Sequence, residues 1–364
     1  MTTLDEPVVT TDPTTTTGDD QAAVAERMVQ VLNDGAINVL GSIGHQLGLF
    51  DVLTTLPWAT SAQVADAAGL TERYVREWLG GVVTAGWVEY EPQGRLYRIS
   101  PDHAPFLTGT GVDNIARTMG LITLMGQVTP QVIETFRTGG GLRYSDYPGF
   151  HDAQAADSAA VNDASLVETI VPLTGIVDRL RAGIDVADIG CGEGHAVNLL
   201  AREFPNSRFW GFDFSPEALV PARAEAAAWG LTNATFVDCD VAGEAQESSY
   251  DLVTAFDAIH DQAHPATVLA NIHRSLRPGG TFLMVDIKAS SHLEDNLDLP
   301  WASFLYAVST VHCMSVSLGQ GGDGLGTVWG TELATQMLHE AGFSDVEQHD
   351  LEADPFNAYF VARR

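Results

Sequence analysis

The chain of 364 residues predicts two domains of different class: a mainly helical N-terminal domain and a larger α/β domain on an open sheet of seven strands. Three observations carry this. After about residue 166 the pattern becomes strand and helix in alternation, as in a layered α/β fold. Before it, apolar residues recur at helical spacing and lead into a short hairpin. Acidic residues end three successive strands, where open α/β sheets bind their ligands.

The elements follow in order. Residues 1–20, "MTTLDEPVVTTDPTTTTGDD", read as a disordered Thr/Asp tail with neither the basic start nor the apolar segment of a signal peptide. From 21 to 57, Val24, Met28, Val31, Leu32, Val39, Leu40, Ile43 and Leu47 share helical spacing, and Asn33-Asp34-Gly35 is expected to break the run into two helices. Thr60 or Ser61 caps a short helix ended by Gly69, and Thr71 caps a second reaching about Ala85. Runs at Val88–Glu91 and Leu96–Ile99 flank Pro92-Gln93-Gly94 as a hairpin. Helix, turn, helix and hairpin make a winged helix, placed at 21–104. Residues 105–165 read as a helical linker carrying a Gly- and aromatic-rich loop, "RTGGGLRYSDYPGFH". Strands are expected at 185–189, 208–213, 234–240, 250–259, 280–287, 344–351 and 356–363, with helices at 194–203, 215–229, 265–276 and 331–342. Residues 288–330 form a long insertion after the fifth strand, a length that is usually functional.

Composition excludes several classes. The formal net charge is −30 and Lys288 is the single lysine, a surface that repels nucleic-acid phosphates and anionic lipid. An acidic proteome is the plain reading of that charge; adaptation to high cytoplasmic salt is the one favoured here, because a short Debye length mutes the self-repulsion. No uninterrupted apolar run approaches the ~18 residues that span a bilayer, so no membrane is expected. Cys191, Cys239 and Cys313 make neither a disulfide framework nor a CxxC pair, so a cytoplasmic location is expected.

The chemistry begins in "VADIGCGEGHAVNLLA", which sets Asp188, Gly190, Gly192 and Gly194 between a strand and a helix. Glycines there let the backbone turn sharply and approach a ligand. His195 stands where a dinucleotide fingerprint needs its third glycine, so the nicotinamide oxidoreductase alternative is disfavoured. Asp213 ends the second strand, suited to a ribose diol; Asp240 ends the third, suited to an adenine amino group; Phe256 ends the fourth and suits the adenine ring face.

With these residues in place, 166–364 resembles the class I S-adenosylmethionine-dependent methyltransferases. The resemblance implies a Rossmann-like seven-stranded sheet whose last strand runs antiparallel. It also implies S-adenosylmethionine as cofactor, held by Asp188, Gly190, Cys191, Gly192, Gly194, Asp213, Phe214, Asp240, Val241 and Phe256. "GLFDVL", "TERYVREWLGG", "RYSDYPGFH" and "VSTVHCMSVSLGQGGDGLGTVWG" extend it to the winged-helix methyltransferases of the mycobacterial type. In "FDAIHDQ", His260 resembles the histidine of the "HDW" motif in small-molecule O-methyltransferases, which deprotonates the acceptor hydroxyl; glutamine here replaces the tryptophan. Base, substrate hydrogen bonding and packing stay open for His260. Tyr144, Tyr147, His151, His312 and Met314 read either as pocket lining or as core. No metal is expected, since Pro265 keeps His260 and His264 off one helical face. The expected partners are a small-molecule methyl acceptor and a second copy of the chain. A DNA-binding regulator is the rival reading, but residues 60–100 hold Arg73, Arg76, Arg95 and Arg98 against Asp66, Glu72, Glu77, Glu89 and Glu91, which is no basic face.

Overall fold

The computed structural model describes residues 18–243, 247–352 and 354–364. The chain divides into two compact units, residues 1–100 and 101–364. Most of the expected 1–20 tail lies outside the described residues.

The first unit opens with α1 (Gly18–Gln46), followed by α2 (Leu49–Thr55), β1 (Ala59–Thr60), α3 (Ser61–Ala68), α4 (Glu72–Thr84), β2 (Val88–Glu91) and β3 (Leu96–Ile99). The break expected at Asn33-Asp34-Gly35 is absent. Gln30 Nε2 donates to the Asp34 carboxylate at 2.6 Å and Asn38 Nδ2 to the Asp34 carbonyl at 3.3 Å, bridging the site. One interior glycine costs a helix only about 1 kcal/mol. Thr60 caps α3 in a capping box with Gln63. Trp78 Nε1 donates to the Leu40 carbonyl at 2.9 Å, fastening the C-terminal half of α1 to α4. The small sheet runs β1-β3-β2, with Val88 paired to Ile99. This is the winged helix that the sequence predicts.

The second unit contains α5 (Ala104–Leu107), α6 (Ile115–Thr138), α7 (Phe150–Val161), α8 (Val177–Ala182), β4 (Asp185–Ile189), α9 (His195–Glu203), β5 (Arg208–Asp213), α10 (Leu219–Ala228), β6 (Ala234–Asp238), β7 (Tyr250–Phe256), α11 (Pro265–Ser275), β8 (Leu276–Ile287), α12 (Ala302–Val308), α13 (Met314–Gly319), α14 (Thr331–Glu340), β9 (Asp345–Leu351) and β10 (Asp354–Arg363). The sheet order is β6-β5-β4-β7-β8-β10-β9, and β10 alone runs opposite to the other six strands. β4 is buried along its whole length, Asp185 and Asp188 included. The segment expected to be a linker, 105–165, belongs to this same unit.

Two wide π turns interrupt helical runs, at Asn162–Ile170 after α7 and at Ser309–Cys313 between α12 and α13. The stretch Ala302–Gly319 is long and apolar enough, by length and composition, to cross a membrane. It is stitched into the domain instead: Tyr147 Oη donates to the Val311 carbonyl at 2.6 Å, and Ser317 Oγ to the Gln262 carbonyl at 2.9 Å. Arg208 and Arg277 pair with Asp185, and Arg179 and Arg277 with Asp251. These pairs sit at or beside the first residues of β4, β5, β7 and β8, away from the strand ends that shape the site.

Candidate active site

A cleft, partly open to solvent, lies over the C-terminal ends of β4, β5 and β7. Its floor is the turn after β4. Gly190 N–H and Cys191 N–H both donate to the Phe212 carbonyl, at 2.8 and 3.0 Å, tying the turn to the end of β5. Gly190 and Gly194 have φ of 68° and 71°, and each faces a wall: an added Cβ would stand 2.5 Å from Ala258 Cβ or 2.4 Å from Phe236 Cε1. At Gly192 an added Cβ would meet nothing within 4 Å, so its backbone borders open space.

Asp213 accepts the Gly192 N–H on one carboxylate oxygen and the Ser215 N–H on the other, both at 2.8 Å, which fixes its orientation while it lines the cleft. Asp188 is buried and accepts from Thr254 Oγ1 at 2.6 Å. Burial pushes its carboxyl up to about 7; the Thr254 bond opposes this and the Asp213 charge adds to it. Phe214, Phe256, Cys191, Tyr144 and His151 also border the cleft. Tyr144 stacks on His151 with ring centroids 5.3 Å apart and meets Phe214 edge-on at 5.4 Å.

Other expected site residues lie elsewhere. β6 stops at Asp238, and exposed Asp240 accepts the Ala242 N–H at 2.9 Å as a turn residue; neither it nor Val241 lines the cleft. The Val241 carbonyl is taken by Asn271 Nδ2 at 2.9 Å. Tyr147 and His312 are buried outside the cleft lining, His312 with its ring 3.6 Å from that of Phe150. Burial pushes His312 down to about 4, so it is neutral. Met314 does not border the cleft either.

His260 also stands behind the wall, at 4% exposure. Its Nδ1 is 2.7 Å from Asp286 Oδ1 and its Nε2 is 3.3 Å from Asp261 Oδ1. Burial disfavours the imidazolium, but Asp286 and Asp261 outweigh that and hold its pKa well above the usual range. Neither ring nitrogen opens on the cleft, so the expected direct base does not stand where an acceptor would meet it. The cause is tertiary: β7 ends at Phe256, three residues before the expected end, and Asp257 turns the chain at φ 50°. That turn carries Asp261, not His260, to the wall. Asp261 Oδ2 accepts from Tyr144 Oη at 2.9 Å. Asp286 Oδ1 is also bonded by Trp329 Nε1 at 2.9 Å and by the Ile287 N–H at 2.8 Å.

His260, Asp261 and Cys313 offer ligand atoms within 4.8 Å of one another. Burial pushes the Cys313 thiol up to about 11.

Sequence reading passed over Asp286, Thr254, Trp329, and the wall formed by Gln154, Ser158 and Asn162. Asp286 had a signal: it is an acid near the end of a strand, like Asp188 and Asp213. The others had none.

Residues 35–109 match the Rv2258c-like winged HTH domain, and residues 180–342 match a methyltransferase domain. The larger unit carries a methyltransferase domain. The chain is 33% identical over 121 residues to a trans-aconitate 2-methyltransferase of Methylobacterium nodulans, covering 33% of this chain and 42% of that protein. The chain thus spans less than half the length of that relative. Among solved structures, a putative O-methyltransferase from Nostoc punctiforme superposes with TM-score 0.71 at 19% identity, over 93% of this chain and 98% of that one. Human N-acetylserotonin methyltransferase, solved with S-adenosylmethionine, gives 0.69 at 17% over 96% and 99%. These two likenesses establish the fold. S-adenosylmethionine is the expected cofactor of a methyltransferase domain, and the cleft suits it. Gly192 leaves room for close approach, Asp213 presents a fixed carboxylate, and the lining has no Lys or Arg to repel a cationic sulfonium.

Proposed function

We propose that this protein transfers a methyl group from S-adenosylmethionine to a small-molecule acceptor, at a hydroxyl oxygen. The observation that carries the proposal is the acidic cleft over Asp188, Gly192 and Asp213 within the methyltransferase domain. When bound, S-adenosylmethionine supplies an electrophilic methyl group on sulfonium sulfur. Asp213 would hold the ribose diol, Asp188 would lie near the amino-acid end, and Phe214 and Phe256 would exclude water. Tyr144 and His151 from the opposite wall would meet the acceptor, and alignment of the two reactants is the main demand of an in-line displacement. Calorimetry tests the reading. The protein should bind S-adenosylmethionine and S-adenosylhomocysteine but not NAD, and Asp213→Ala should weaken binding by about 1.5–3 kcal/mol, the worth of hydrogen bonds to a charged group. Tight NAD binding with no S-adenosylhomocysteine binding overturns it.

A homodimer belongs to the same proposal. Val24, Met28, Val31 and Leu32 of α1 are 62%, 62%, 46% and 74% exposed. A second copy is the favoured occupant of that apolar face, because the winged-helix unit carries no basic excess with which to hold DNA. Three free cysteines and the acidic composition support a reducing, cytoplasmic setting at high salt.

A further inference from the structure

We propose that His260, Asp261 and Cys313 bind one zinc ion, which clips the insertion after β8 to the loop after β7. The ion takes no step of methyl transfer. The three side chains come from two distant segments, that loop and the π turn Ser309–Cys313, and are 4%, 7% and 5% exposed. Their ligand atoms lie within 4.8 Å of one another. His260 Nε2 and Asp261 Oδ1 face each other at 3.3 Å, and buried Oδ1 has no hydrogen-bond partner in the structure. A buried carboxylate oxygen left so is costly and calls for a partner. Zinc bonds of about 2.0–2.2 Å to nitrogen and oxygen, at a tetrahedral angle, set two such atoms about 3.3 Å apart. The spacing found is that of two ligands on one ion.

The groups behind the ligands are those that a metal site uses. His260 Nδ1 is 2.7 Å from Asp286 Oδ1, and that oxygen is held in turn by Trp329 Nε1 and the Ile287 N–H. A carboxylate behind an imidazole fixes the ring, turns the other nitrogen toward the ion and makes it more basic. Tyr144 Oη occupies Asp261 Oδ2 at 2.9 Å, which leaves Oδ1 to face His260. Three protein ligands leave a fourth position for water. His264 takes no part: it is half-exposed, 3.9 Å from Asp323.

The donor set selects the ion. Sulfur and imidazole nitrogen favour zinc over magnesium and calcium, which take oxygen ligands. Two carboxylates flank the His260 ring, so positive charge belongs there. Zinc(II) takes the lone pairs of His260 Nε2, Asp261 Oδ1 and Cys313 Sγ. The Nε2 proton of the imidazolium and the thiol proton pass to solvent, so two protons leave for one doubly charged ion and the buried charge is unchanged. The Ser317 hydroxyl already ties the insertion to the Gln262 carbonyl, and the ion adds a second tie one residue away, at Asp261 on the cleft wall.

The test uses the full-length protein, stripped with a chelator and dialysed into excess magnesium to occupy the acidic surface. Cobalt(II) should then bind at one ion per chain and give a thiolate-to-cobalt charge-transfer band, which added zinc should bleach. Cys313→Ser should abolish the band, whereas Cys191→Ser and Cys239→Ser should keep it. Asp286→Asn should keep the band and weaken cobalt binding by about 10–100-fold, the usual effect of losing a residue behind a ligand. Zinc at about a hundredfold excess over its Kd should raise the unfolding midpoint of the native protein by about 5 °C and leave that of Cys313→Ser in place. If Cys313→Ser fails to fold, Asp261→Asn carries the test, and should weaken cobalt more than Asp286→Asn does. No band from the native protein, a band that survives in Cys313→Ser, native cobalt affinity in Asp261→Asn, or equal stabilisation of Cys313→Ser by zinc would each overturn the site.

Discussion

Asp257 shows how one residue couples the site to stability. It turns the chain out of β7 in a left-handed conformation, and one of its carboxylate oxygens is buried without a partner. Burial, reinforced by Asp286 and opposed by His260, pushes it up to about 8. The group is therefore protonated in the folded protein and ionised in the unfolded chain across roughly pH 4–8. Its contribution to stability is present below the unfolded pKa and is lost as pH rises through the folded value. Asp257→Asn keeps the neutral form at every pH. Urea unfolding at pH 5, 6.5, 8 and 9 should show the variant gaining on the native protein by up to about 1 kcal/mol per pH unit, then levelling above pH 8. A constant difference across that range would show that Asp257 does not titrate on folding.

At the scale of elements, the turn between β4 and α9 separates two jobs that look alike in the sequence. Gly194 is needed for packing, since a Cβ would lie 2.4 Å from the Phe236 ring and 2.7 Å from Ala222 Cβ. Gly192 is needed for access, since its Cβ would stand in open space. Gly194→Ala should destabilise by about 2–4 kcal/mol, combining overpacking with left-handed strain. Gly192→Ala should cost only the strain, about 1–2 kcal/mol, while weakening S-adenosylhomocysteine more than Gly194→Ala does in whatever fraction stays folded. Thermal unfolding beside calorimetry separates them; equal stability losses would merge the two roles. The insertion after β8 works in the same way. Its backbone takes Tyr147 Oη, its Ser317 hydroxyl holds the Gln262 carbonyl, and its Trp329 indole holds Asp286, so it braces the loop carrying Asp261.

For the whole molecule, the net charge of −30 decides behaviour in salt. At ~0.1 M salt the Debye length is ~10 Å and like charges over the surface repel; at ~1 M it is ~3 Å. The unfolding midpoint should therefore rise with added potassium chloride over this range. Light scattering should find a dimer in molar salt, and Met28→Glu with Leu32→Glu on α1 should give a monomer whose winged helix stays folded. A native monomer in molar salt would remove the homodimer from the proposal.

The sequence by itself determined the alternation of strands and helices, the seven-stranded sheet, the winged helix, and the acid-and-glycine turn of the cleft. Each of these is written in local periodicity or in a residue suited to its local conformation: Thr60 as a cap and Gly194 at positive φ. Tertiary structure alone decided which face of a loop looks inward. His260 and Asp261 are neighbours in the chain, and nothing local says which of them meets the cleft. That depended on where β7 stops, on the Asp286 carboxylate arriving from β8, and on Tyr144 arriving from a segment more than a hundred residues earlier. The continuity of α1 through Asn33-Asp34-Gly35 belongs there too, because side-chain bonds around Asp34 offset a weak local preference for a break. Local preferences fix elements at about 1 kcal/mol per residue, whereas a buried charge among other charges answers to every group that packs around it, wherever in the chain that group comes from.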